Sequence, residues 1–194
     1  MNRLLYLATA IAMITFLLVA SLNCAGEGEN KQLTKEEMIA RGKYLAEVAG
    51  CHDCHTPKVF TEHGIGNDTT RSLSGHPSGT PLYTIDENMI GPGKWMLTND
   101  HLTAWVGPWG ISYSANLTPD NATGLGAVSE EMFIKTIREG KIKGVGRPIL
   151  PPMPWLGMMT DQDLKSIYAY LQSIPAIHNE VPQPVPPNML GEFK

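Results

Sequence analysis

Cysteine is scarce in this chain: three residues in 194, at Cys24, Cys51 and Cys54. A structural zinc site takes four protein ligands. Cys51 and Cys54 supply two, Cys24 falls in an apolar N-terminal stretch, and no second Cys or His pair follows at finger spacing. A thioredoxin-like dithiol needs a βαβ context, and no such alternation of patterns surrounds these cysteines. Basic residues are not in excess either. Lys and Arg number 15 against 19 Asp and Glu, for a formal charge of −4. Nucleic-acid binding calls for a basic footprint, so no nucleic-acid partner is expected. Internal repeats are missing, and 7% of the chain is aromatic.

What is there begins with composition. An apolar fraction of 42% and a charged fraction of 18% suffice for one globular core. Gly 19 and Pro 15 are high for a helical domain of this size and imply long irregular loops between few helices.

The two neighbouring cysteines belong to Cys51-His52-Asp53-Cys54-His55. Cys-x-x-Cys-His is the attachment signature of a c-type haem. Two thiols add across the two haem vinyl groups, and the spacing lets both sulfurs reach one porphyrin edge. The adjacent His55 then supplies an imidazole to the iron. His52 points away from the iron side, with a packing or surface role. No second such motif occurs, so one covalent haem c is expected.

The second axial position decides between classes of function. A filled position favours electron transfer; an open one permits peroxide chemistry or gas sensing. Of the 10 methionines, Met153 stands apart because prolines flank it on both sides. Proline fixes φ, so Pro152-Met153-Pro154 holds a side chain with little entropy to lose. A thioether ligand raises the reduction potential and suits reversible one-electron exchange. The competing ligands are the loop histidines His63, His76 and His101, each more commonly solvated. The enzyme alternative, a peroxidase or gas sensor, would draft His101 or Arg147 as acid–base groups beside an open iron.

Thioether formation in bacteria takes place outside the cytoplasm, so an export signal is expected. Residues 1–24 supply one: Arg3, then an apolar run from Leu4 to Leu22, then Cys24. A cysteine just after the apolar run resembles a lipoprotein processing site, making Cys24 a lipidation candidate, although Asn23 replaces the usual small residue. The run also has the length of a membrane anchor (about 17–25 residues), and simple cleavage is the third outcome. Residues 25–33 read as a flexible tether, 34–175 as the folded domain and 176–194 as a proline-rich tail, extended and lying along the domain or reaching a partner. The expected location is the periplasmic side of a bacterial membrane, lipid- or helix-anchored, ahead of a soluble periplasmic protein.

Within the domain, three helices are marked by their caps. Thr34 with Glu37 is a capping box opening a helix to about Ala49, with Gly42 placed for a close helix approach and Gly50 as its stop. Ser129 caps a helix over 130–139, and Thr160 one over 161–173. The apolar face of the last helix, Leu164, Ile167, Tyr168 and Leu171, is the expected partner of Gly42 and Leu45. Residues 56–115 have no strong periodicity beyond a short strand at 111–114, and a haem surface gives such loops something to wrap.

As a set, these features resemble a known family. They are Arg41-Gly42-x-Tyr44-Leu45, Gly50-Cys51-x-x-Cys54-His55-Thr56-Pro57, Gly107-Pro108-Trp109-Gly110, Asn116-Leu117-Thr118-Pro119-Asp120, Pro151-Pro152-Met153-Pro154-Trp155 and Tyr168-x-Tyr170-Leu171. The chain is similar, over roughly 34–180, to bacterial class I-like cytochrome c domains. It looks closest to the modules in membrane-bound cytochrome c subunits of alcohol, aldehyde and gluconate dehydrogenases. The resemblance implies an all-α cytochrome c fold with few helices and long haem-wrapping loops. It also implies His/Met coordination through His55 and Met153, attachment through Cys51 and Cys54, and redox protein partners such as a membrane dehydrogenase or oxidase complex. Those subunits hold several modules and this chain one. A free-standing carrier and a structural relay subunit of a larger complex therefore both remain open.

Overall fold

A computed structural model describes Met13, residues 32–81 and residues 84–192. The chain divides into two units, Met1–Leu33 and Thr34–Lys194. The second carries the haem motif and the three capped helices. The leader's apolar run, Met13 apart, and the lipidation candidate Cys24 lie outside the described residues. Among those described, no helix is long and apolar enough to cross a membrane.

Four α-helices of this second unit are present among the described residues: α1 (Lys35–Val48), α2 (Cys51–His55), α3 (Glu130–Glu139) and α4 (Asp161–Ser173). The caps form as their residues dictate. The Glu37 N–H donates to Thr34 Oγ1 at 3.2 Å, and the Thr34 N–H returns a bond to Glu37 Oε2 at 2.8 Å. Ser129 accepts from the Met132 N–H and Thr160 from the Asp163 N–H, both at 3.2 Å. Each satisfies a donor that a helix start leaves without a partner. Gly140, at φ 60°, ends α3 in the left-handed conformation open to glycine.

The all-α expectation is not met. Among the described residues two antiparallel sheets accompany the helices. The first pairs β1 (Lys58–Thr61) with β2 (Gly64–Asn67); the second orders β3 (Leu97–Thr98), β4 (Ala104–Gly107) and β5 (Gly110–Tyr113). The stretch expected to be loop with one short strand therefore holds five short strands among its loops, the expected strand at 111–114 appearing as β5 and four more not foreseen. The physical reason is length. Strands of two to four residues hold too few alternations for the period of two to stand out. They form because β-branched and aromatic residues (Val59, Phe60, Trp105, Val106, Ile111, Tyr113) alternate with glycine-bearing turns. Gly110 closes the β4–β5 hairpin at φ 93°, and a Cβ there would overlap the Val185 carbonyl oxygen.

Two apolar cores result. Ala46, Leu73, Phe133, Ile167, Tyr170 and Leu171 join α1, α3 and α4; Ile90, Val106, Ile111 and Leu190 join the second sheet to the tail. The tail is extended over 176–186, as its prolines imply, then turns into a short 3-10 helix at Pro187–Glu192, and it packs on the domain. Val185 and Ile111 exchange two backbone bonds, and buried Asn179 donates to the Ser74 and His76 carbonyls at 2.7 and 2.8 Å. Thr118 faces this strap: its hydroxyl accepts from the Ile177 N–H at 3.1 Å.

α1 and α4 cross where Gly42 removes a side chain. The neighbours are Ser166 and Tyr170, one step round the helix from the expected face; Leu164, Ile167 and Leu171 turn into the interior instead. A Cβ on Gly42 would overlap the Ser166 carbonyl oxygen. Alanine gains about 1 kcal/mol of helix propensity over glycine, while overpacking costs about 1–3 kcal/mol and occasionally more. The clash is with backbone, which cannot rotate away. Gly42→Ala is therefore expected to lower the thermal midpoint, and a raised midpoint would show that the helices part freely.

His76 carries a second expectation. It is 1% exposed, its Nδ1 lies 3.0 Å from Thr103 Oγ1, and its ring sits 4.9 Å from that of Tyr113. Burial, with a smaller contribution from the charge of His101, lowers its pKa to about 4 from the ordinary 6.5. The unfolded chain therefore takes up a proton at a pH where the folded chain does not. Stability is full above pH 6.5 and is lost progressively as pH falls toward 4, by about 3 kcal/mol at 1.36 kcal/mol per pH unit. Chemical denaturation of wild type and His76→Asn at pH 7 and pH 5 tests this. The pH difference should shrink in the variant.

Candidate functional site

The site starts at Gly50. Its φ of 69° turns the chain between α1 and α2, a conformation that costs a β-carbon-bearing residue. α2 is then a single helical turn. Residues three and four apart share a face of a helix, so Cys51, Cys54 and His55 come to one side. All three line one cleft of about 230 Å³. His52 lies off that face, its Nδ1 3.0 Å from Thr56 Oγ1 and its Nε2 3.6 Å from Glu47.

His55 Nδ1 lies 2.8 Å from the Ala115 carbonyl oxygen. A carbonyl only accepts, so Nδ1 carries the proton and Nε2 keeps a free lone pair. A bonded second nitrogen is the usual way of fixing a ligating imidazole. Burial lowers the His55 pKa, partly offset by the bond to Ala115. Burial pushes the Cys51 thiol up to about 11, with the Asp53 and Glu47 charges adding to it, and raises Cys54 for the same first reason. Protonated thiols do not suit a reactive dithiol, and among the described residues no group of three His, Cys, Asp or Glu is placed to hold a metal ion.

α2 is clamped from behind. Lys58 is buried, and its ammonium donates to the His52 and Thr56 carbonyl oxygens at 2.7 and 2.9 Å. The Lys58 N–H reaches the His101 carbonyl, and His101 Nδ1 lies 2.8 Å from the Lys58 carbonyl oxygen.

Met153 lines the same cleft, and among the described methionines it alone does so. Its segment is tied to β5: Ser112 Oγ donates to the Pro151 carbonyl at 2.6 Å and accepts from Trp109 Nε1 at 3.2 Å. Beyond it, Arg138 bonds the Gly157 carbonyl and pairs with Asp161 at 2.5 Å. The Pro151–Pro152 peptide is cis. His63, His76 and His101 do not line the cleft.

Two further residues line the cleft: Trp105, which sequence reasoning missed, and Arg147, which it named only as an acid–base group. Trp105 Nε1 is buried without a hydrogen-bond partner. An unpaired buried donor costs about 1–3 kcal/mol, so the site is arranged for an acceptor. Arg147 also lines the cleft, its pKa lowered by burial. The clustering of Trp105 and Trp109 was the available signal for the first. An apolar cleft with two thiols, a free imidazole lone pair, a thioether, an unpaired donor and one cation fits haem: a flat apolar ring with a metal and two carboxylate tails.

The chain is similar to bacterial cytochrome c subunits, as its motifs anticipated. It is 29% identical over 169 residues to the fructose dehydrogenase cytochrome subunit of Gluconobacter japonicus, covering 85% of this chain and 27% of that protein. It is 28% identical to the gluconate 2-dehydrogenase cytochrome c subunit of Pantoea cypripedii, covering 81% and 27%. It is 37% identical to the cytochrome c subunit of the quinone alcohol dehydrogenase of Gluconacetobacter polyoxogenes, covering 69% and 21%. The chain thus spans about a quarter of the length of these relatives. No family model matches it.

Proposed function

We propose that this chain is a one-electron carrier. Cys51 and Cys54 hold a single c-type haem as thioethers, and His55 Nε2 and the Met153 sulfur are its axial ligands. Bound haem supplies a ferrous/ferric couple. The chain's part is to bind it, exclude water with apolar walls, and fill both axial positions so that electrons pass without bond making at the metal. Trp105 Nε1 and Arg147 meet the carboxylate tails. The single observation carrying this reading is that Cys51, Cys54, His55 and Met153, from two distant segments, line one cleft.

The protein works outside the cytoplasm at a membrane, attached through its N-terminal segment by lipid at Cys24 or by an anchor helix. Its partner is a dehydrogenase, and the names of its relatives support that choice. A redox titration of the matured protein tests the reading. One reversible one-electron wave and no peroxide turnover are expected. Peroxide turnover at enzyme-like rates would make it a peroxidase.

A further inference from the structure

The chain is acidic overall, yet one segment beside the cleft is basic. Between residues 135 and 147 stand Lys135, Arg138, Lys141, Lys143 and Arg147, against the single acid Glu139. Arg138 is engaged with Asp161. Among the described residues no ion pair engages Lys135, Lys141 or Lys143; Arg147 is the cation assigned above to a haem carboxylate.

The fold presents Lys141, Lys143 and Arg147 on a closed loop that follows α3. The Ile149 N–H donates to the Gly140 carbonyl at 2.8 Å, the Ile142 N–H to the Arg147 carbonyl at 2.9 Å, and Lys141 bridges to Pro148. Gly144, at φ 70°, lies against the Lys135 stem, whose Cγ would be 2.5 Å from a Cβ there. Lys135 is thereby laid along the loop. Lys143 sits at φ 53°, a left-handed conformation that residues other than glycine rarely adopt. Apolar side chains are interleaved and exposed: Ile142 at 37% and Val145 at 76%. Trp155, 63% exposed, shares a hollow with Gly140, Ile149 and Met153. Ile142 and Arg147 themselves line the cleft.

We propose that loop 140–149 is the docking surface for electron exchange, and that its occupant is a protein face rich in Asp and Glu around a redox centre. This rests on the electron-carrier reading above. An apolar centre with a charged rim is the make-up of a specific transient interface. Complementary charge steers encounter and raises association rates in a salt-dependent way. The loop differs from the thiol side of the site, where Glu47 and Asp53 lie near Cys51. Net charge and local charge therefore predict opposite partners.

Small redox probes separate the two. The reduced holoprotein passes one electron to anionic hexacyanoferrate(III), giving hexacyanoferrate(II). The oxidised holoprotein takes one electron from cationic hexaammineruthenium(II), giving hexaammineruthenium(III). Stopped-flow rates are read at low and high ionic strength; the screening length falls from about 30 Å at 0.01 M to about 3 Å at 1 M. The hexacyanoferrate rate should fall several-fold as salt rises. Lys141→Glu/Lys143→Glu should flatten or reverse that slope without changing the absorption spectrum, and Lys35→Glu, at the start of α1, should leave the slope as it is. A slope favouring the cationic probe, as the net charge of −4 dictates, overturns the proposal, as does a slope untouched in the double variant. Loss of binding to phosphatidylglycerol vesicles in the double variant, with the hexacyanoferrate slope intact, would assign the loop to lipid and overturn it too. Failure to exchange with either probe defeats the carrier reading itself.

Discussion

Replacing Met153 by alanine is expected to lower the reduction potential and to open the ferrous iron to carbon monoxide. A thioether stabilises the reduced state relative to water or a nitrogen ligand. Among the described residues no other methionine lines the cleft, and neither His63, His76 nor His101 does, so none of the competing ligands weighed from the sequence is placed to substitute. The Ser112–Pro151 bond and the Arg138 clamp on Gly157 hold the backbone on both sides of residue 153. The variant should therefore fold, bind haem and lack one ligand. Spectroelectrochemistry with and without carbon monoxide reads both effects. An unchanged potential and spectrum would remove Met153 from the iron.

Cys51→Ser/Cys54→Ser is expected to abolish covalent attachment. The protein should yield all its haem to acidified acetone, whereas wild type keeps it through denaturation. Each single variant should keep one thioether and stay haem-stained on a denaturing gel. The two sulfurs lie one helical turn apart on the face that lines the cleft, with His55 beside them, so both reach the same edge of a bound ring. Haem remaining on the denatured double variant would mean that attachment lies elsewhere.

Much of the site was legible because its chemistry is local. Cys51, Cys54 and His55 are set by one helical turn, and the capping residues Thr34, Ser129 and Thr160 announce themselves within four residues of sequence. Gly42 was legible as a close approach because a glycine inside a helix needs a reason, although which α4 residues would meet it depended on a rotation only the packing settles. Met153 stood out through its flanking prolines. Of the strands, β5 stood out through the alternation over 111–114; β1 to β4 did not, being too short or too irregular to carry a period. Nor did the burial of His76 or the unpaired Nε1 of Trp105, which depend on neighbours far along the chain: Thr103 for the first, the whole cleft for the second. The tail's role was open because an extended proline-rich segment reads alike whether free or docked. Gly110, whose missing side chain admits Val185, shows the docking only once both are placed.

The most direct test of the account is to add carbon monoxide to the reduced, unmodified protein. With His55 and Met153 filling both axial positions, the absorption spectrum should not change on the mixing timescale, while Met153→Ala should bind at once. Rapid carbon monoxide binding by the unmodified protein would contradict the account and point to an open iron.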